Sequence, residues 1–138
     1  MILLDTNVVS ALMRQTPDRA VVAWLDSLPA ESVWLPAITV FEVRFGLELL
    51  PAGRRRRALE EAFDRALEED FQGRVVPFDR GAADAAGAMA AERRRAGRPV
   101  DMRDVQLAGI ARARKAALAT RNVRHFEGLG LSLIDPWA

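Results

Sequence analysis

The chain has 138 residues, half of them apolar and 28% charged, enough apolar material for a core and too little imbalance for a disordered chain. Its net charge of +1 gives no general attraction for nucleic acid, although nineteen of the twenty basic residues are arginine, with runs at Arg54 to Arg57 and Arg93 to Arg95. The absence of cysteine excludes disulfides and thiolate metal sites and fits a cytoplasmic protein, and neither a signal peptide nor an apolar run near the ~20 residues of a membrane span is present.

Met1 to Leu4 is a wholly apolar run, as expected of a strand buried on both faces. Asp5-Thr6-Asn7 supplies N-cap chemistry for a short helix through Val8 to Met13, and Pro17-Asp18 opens a second, with Val21, Trp24, Leu25 and Leu28 on one face. Ser32 to Leu35 reads as strand two. Thr39 to Leu49 is a helix stopped by Pro51 and Gly53, and another runs from about Arg55 to Phe71, with Leu59, Phe63 and Leu67 in register. Arg74 to Phe78 reads as strand three. Helices follow over Gly81 to Arg95 and from Asp101 or Met102 to about Lys115, then strands at Ala117 to Thr120 and Leu131 to Ile134. Strands separated by helices imply right-handed crossovers and a parallel, three-layer α/β sheet, with residues 1–138 forming one domain.

In open parallel sheets the site forms beyond the carboxyl ends of the strands, which singles out a few polar residues. Asp5 follows strand one directly, where it serves either a site or the cap of the next helix. Glu42 completes Thr39-x-x-Glu42, a capping-box spacing in which Glu reaches back to the Thr39 N–H. Asp101 and Asp104 share one face at the start of a helix, a position the helix macrodipole also favours for acids, and Asn122 follows strand four on the Asp5 edge. Each has a structural explanation alone. Together they converge, and converging carboxylates raise each other's pKa unless a cation neutralises them. A hard divalent ion such as Mg²⁺ or Mn²⁺ prefers these oxygen donors and would support phosphodiester hydrolysis. No covalent nucleophile and no phosphate-cradling glycine loop is visible.

The opening Met1-Ile2-Leu3-Leu4-Asp5-Thr6-Asn7-Val8-Val9-Ser10 resembles the start of a PIN domain, in particular the VapC and FitB-like toxins. The resemblance continues through Ser27-Leu28, Ala37 to Gly46, Val76-Pro77-Phe78-Asp79, Asp104 to Ala111, Ala119-Thr120-Arg121-Asn122 and Asp135-Pro136-Trp137, in order along the whole chain. It implies a five-stranded parallel sheet of order 3-2-1-4-5 and Mg²⁺- or Mn²⁺-dependent endoribonuclease activity on RNA such as tRNA or rRNA. It further implies a homodimer and a cognate antitoxin whose C-terminal segment lies in the active-site groove. Asp5, Glu42 and Asp104 match the first three family acids as catalytic and metal-binding residues. The position of a fourth acid holds Asn122, and the alternative place for it holds His125, so a weaker second metal site is expected.

Asp101, Thr6 and Thr120 are further candidates around the metal, and Arg121, beside Asn122, is the arginine best placed in sequence to meet a scissile phosphate. His125, the only histidine, reads first as a surface or packing residue. Trp24, Trp34 and the i, i+4, i+8 series Phe41, Phe45 and Leu49 read as core, with a dimer or antitoxin surface as the alternative for the last three. A second functional reading is a catalytically weak module that keeps the fold and binds antitoxin and operator DNA. A phosphatase or phosphorelay domain is disfavoured, because Asn7 stands where its second Asp is needed and Lys115, the sole lysine, follows a helix.

Overall fold

Four of the five strands are three or four residues long and strongly apolar, and they form the middle layer of the computed structural model, which describes residues 1–138. They are β1 (Ile2–Leu4), β2 (Val33–Pro36), β4 (Ala117–Ala119) and β5 (Ser132–Ile134); β3 is only Val75–Val76. All pairings are parallel and the order is β3-β2-β1-β4-β5, as the family resemblance implied.

Alternation along the central strands divides the core. Leu3 and Leu118 face one cluster, covered by α5 (Arg80–Arg95) and α6 (Met102–Arg114). Leu4, Val33, Leu35 and Ala119 face the other, covered by α1 (Thr6–Met13), α2 (Arg19–Asp26), α3 (Ala37–Glu48) and α4 (Arg54–Arg65). No helix is long and apolar enough to cross a membrane.

Helix starts follow their caps. Asp18 accepts from Ala20 and Val21, Asp79 from Ala82, and Asp101 from Asp104. Three expectations are corrected. Strand three is shorter than Arg74 to Phe78, because Gly73 turns the chain at φ 74° and Pro77 has no N–H to extend the ladder. The capping box at Thr39 does not form, because α3 starts two residues earlier with Pro36 as N-cap, and Thr39 is fully buried, donating its hydroxyl to Leu4 O at 2.8 Å. The predicted helix to Phe71 ends as α4 at Arg65 and continues as a wider π turn over Ala66–Asp70.

Phe41, Phe45 and Leu49 are not core. They are 51%, 46% and 70% exposed, and Met102 at 58% lies with them among the exposed large apolar residues. Val43 and Leu47, on the opposite face of α3, fill the core instead, so the i, i+4 series marks the outer side of this helix. Trp24 and Trp34 are half-buried against the core.

Candidate active site

The carboxyl ends of β1 and β4, neighbours in the sheet, bring Asp5 beside Thr120. The Asp5 N–H continues the ladder by donating to Ala119 O at 2.9 Å, which fixes its backbone, and its side chain caps α1 by accepting from the Thr6 N–H at 2.7 Å. The Thr120 hydroxyl, fully buried, donates to the other Asp5 oxygen at 2.7 Å. Capping and a role in the cluster therefore coexist in one carboxylate. Asn7 binds the two segments together: its amide reaches Asp5 Oδ2 at 3.4 Å and Thr120 Oγ1 at 3.3 Å, and its carbonyl accepts the Arg121 N–H at 3.1 Å.

With no capping box to satisfy, Glu42 is free to point across the sheet edge. It accepts the Thr6 hydroxyl at 3.1 Å and meets the Arg103 guanidinium at 3.5 Å. Asp104 enters from the first turn of α6, half-buried, with His125 Nδ1 3.5 Å from its carboxylate. Asp101 is the N-cap that orients this turn. Asn122 contributes its backbone N–H, which donates to Thr120 Oγ1 at 3.0 Å, while its amide side chain makes no hydrogen bond.

Burial pushes the Asp5 carboxyl above the ordinary carboxylate range, against the lowering effect of the Thr120 and Thr6 donors. Asp104 is pushed up to about 6 by burial first and then by the Asp101 charge, with Asp5 and Glu42 adding to the rise and His125 opposing it. Asp5, Glu42 and Asp104 thus share one region of negative potential. Their donor atoms are hard oxygens, flanked by two hydroxyls, a set whose chemistry suits a hard divalent cation. The side chains are not drawn into a closed cage, since no group of three or more His, Asp or Glu surrounds a single point. Arg103 lies against Glu42 and partly balances its charge, and the His125 ring lies against Asp104.

Arg121 does not reach into this cluster. Its guanidinium stacks on the Trp137 ring at 4.8 Å, and Trp137 is held in turn by a hydrogen bond to Asp18. Arg103 was not singled out by the sequence, and neither was the bridging role of Asn7. Arg103 follows no periodic signal; its position depends on Phe41 and Phe45, each ring 5.4 Å from its guanidinium.

A family match covers residues 2–129 and is described as a PIN domain. The chain belongs to the PIN domain family. This PIN domain is 41% identical over 137 residues to VapC ribonuclease Y4jK of Sinorhizobium fredii, covering 99% of this chain and 98% of that protein. It is 37% identical to toxin FitB of Neisseria gonorrhoeae, with 99% of both chains covered. Among solved structures it superposes on FitAB bound to an IR36 DNA fragment with a TM-score of 0.91 at 37% identity, covering all of this chain and 96% of that one.

Proposed function

We propose that this PIN domain is a metal-dependent endoribonuclease and the toxin of a toxin–antitoxin pair. The observation that carries the reading is the approach of Asp5, Glu42 and Asp104 to one another at the carboxyl edge of the sheet, with the Asp104 carboxyl raised by burial and then by the neighbouring acids. The relatives named ribonuclease and toxin support the same activity class. The three carboxylates would hold Mg²⁺ or Mn²⁺, which when bound supplies Lewis acidity to a phosphodiester and activates water.

The chain's own groups do the positioning. Thr120 and the Thr6 N–H fix both oxygens of Asp5, the Thr6 hydroxyl fixes Glu42, and Asp101 fixes the turn that carries Asp104. Asn7 ties the β1 and β4 ends so that these groups keep their spacing. Asn122 adds no charge at the fourth position, which favours a strong first cation site and a weaker second.

The partner would be an antitoxin seated in the groove beside the carboxylates, and the substrate an RNA in the cytoplasm. The exposed Phe41, Phe45, Leu49 and Met102 supply a surface for a homodimer. Asn122's unengaged side chain is the observation on the side of a weakly catalytic module that binds antitoxin and operator DNA.

Incubation of total RNA with antitoxin-free protein and Mn²⁺ decides between them. Discrete fragments are expected, with at least about a hundred-fold less cleavage by Asp5→Asn and Asp104→Asn and none with EDTA. Folded, Mn²⁺-treated protein that leaves the RNA intact would instead establish the binding module.

A further inference from the structure

Beside Asp104 lies a second hollow, of about 440 Å³, whose wall is made of charged side chains, His125 and Pro99. Arg98, Arg124 and His125 line it together with Arg93, and Asp104 and Asp101 form the side that opens on the carboxylate cluster. The basic groups are not equivalent. Arg93 donates to the His125 and Glu127 carbonyls, at 2.7 and 3.4 Å, and so holds the 123–127 turn against the end of α5. Its Nε is buried in the same wall with no hydrogen-bond partner. Arg98 and Arg124 are exposed and make neither an ion pair nor a side-chain hydrogen bond, although acids stand in the same hollow. Arg98 lies over Gly128, where a side chain would approach its guanidinium to 3.3 Å, so the glycine leaves room for it.

A wall built from charged side chains and one proline offers no large apolar side chain to a base or a hydrophobic peptide, whereas two unpaired guanidiniums suit an anion with planar, bidentate oxygens. The hollow on the other side of the cluster differs: Met13, Val43, Leu47 and Leu59 give it an apolar floor. Of the three acids in the hollow, Asp101 caps α6 and Asp104 belongs to the catalytic cluster, which leaves the Glu127 carboxylate beside the arginines. With Arg93 held at the turn carbonyls, Arg98 and Arg124 are two unpaired cations against that one carboxylate.

We propose that Arg98 and Arg124 form a backbone-phosphate subsite that holds the RNA strand next to the scissile bond, on the Asp104 side. This rests on the ribonuclease reading and adds the direction in which the strand leaves the site. Such contacts position the substrate without reading its sequence. They bind; they do not take part in bond breaking.

The test uses the full chain and a fluorescein-labelled, uncleavable 2′-O-methyl RNA 12-mer of mixed sequence, titrated by anisotropy over a range of NaCl concentrations. Arg98→Ala/Arg124→Ala is expected to weaken binding at least about tenfold at low salt and to lower the salt slope by about 1.4, the loss of two single-strand phosphate contacts. Arg98→Lys/Arg124→Lys should recover most of the slope. Arg19→Ala/Arg65→Ala, an exposed pair with the same charge change and no ion pairs, should leave both quantities close to the parent. In parallel, cleavage of total RNA is measured for every protein. A parent that cleaves, with the Arg98/Arg124 alanine variant binding on the parent's slope, overturns the subsite and leaves the nuclease standing. An equal loss in the Arg19/Arg65 variant also overturns it, by reducing the effect to net charge. A parent that neither cleaves nor binds RNA overturns both readings.

Discussion

Asp104 sits in the first turn of α6, where the helix macrodipole favours an ionised acid by about 0.3–1 kcal/mol, yet its carboxyl is pushed up to about 6. Burial and the Asp101 charge outweigh the dipole. The sign of the consequence follows from linkage. With an ordinary value of 3.8 in the unfolded chain and about 6 when folded, the bound proton contributes stability that is complete below pH 3.8 and lost as pH rises through 6. Metal-free Asp104→Asn should therefore melt above the parent at pH 7.5 while being inactive, and the gap should narrow at pH 4.5. Thermal melts in EDTA at both pH values check this; a gap indifferent to pH would mean that the carboxylate is not its source. The same proton must leave before a cation binds, so Mn²⁺ affinity measured by calorimetry should fall about tenfold per pH unit below 6 if one proton is displaced. Asn122→Asp should tighten the second of two unequal Mn²⁺ sites, and a parent already showing two equally tight sites would contradict the weak-site expectation.

Among the elements, α5 and α6 approach most closely at Gly109. A Cβ there would stand 2.5 Å from Ala82 O and 2.8 Å from the Ala86 side chain. Gly109→Ala gains about 1 kcal/mol of helix propensity but forces the two backbones apart, and overpacking of a buried site costs about 1–3 kcal/mol, more where backbone is the obstacle. A lower urea midpoint is expected; an unchanged or raised one would show that the helices separate freely. How far the fold could be read in advance varied by element. β1 and β4 stand out as short apolar runs because burial on both faces demands it, and α2 and α6 announce themselves through Asp18 and Asp101, whereas the Asp79 cap of α5 emerges only in the structure. β3 was overextended because Val75 and Val76 have strand neighbours in sequence but lose the ladder at Pro77. Glu42 was ambiguous because its spacing from Thr39 satisfies a local rule that Pro36 and the buried Thr39 hydroxyl override. Within the site, Asp5 and Asp104 could be placed at the sheet edge from their positions after a strand and at a helix start. Arg103, the Asn7 bridge and the His125 contact were not, since each depends on how separate elements face one another.

At the scale of the whole molecule, the apolar outer side of α3 stands apart from an otherwise polar surface. The Phe41 and Phe45 rings lie 6.1 Å apart with Arg103 over both, a prearranged patch beside Glu42. Light scattering of the antitoxin-free protein should give a mass near twice the 15.2 kDa of one chain, and Phe45→Glu should halve it without unfolding the domain, because Phe45 is outside the core. A parent that runs as a monomer at micromolar concentration would refute this use of the patch. A different consequence comes from the pairing of β1 with β4, which joins Asp5 to Thr120 across a separation of 115 residues. During synthesis β1 leaves the ribosome more than a hundred residues before its partner β4. Asp104 and the strand that supports Asp5 thus arrive late together, and non-local parallel pairing forms slowly. A nascent chain consequently carries only part of the carboxylate cluster, with Asp5 unsupported, until β4 has emerged and paired with β1.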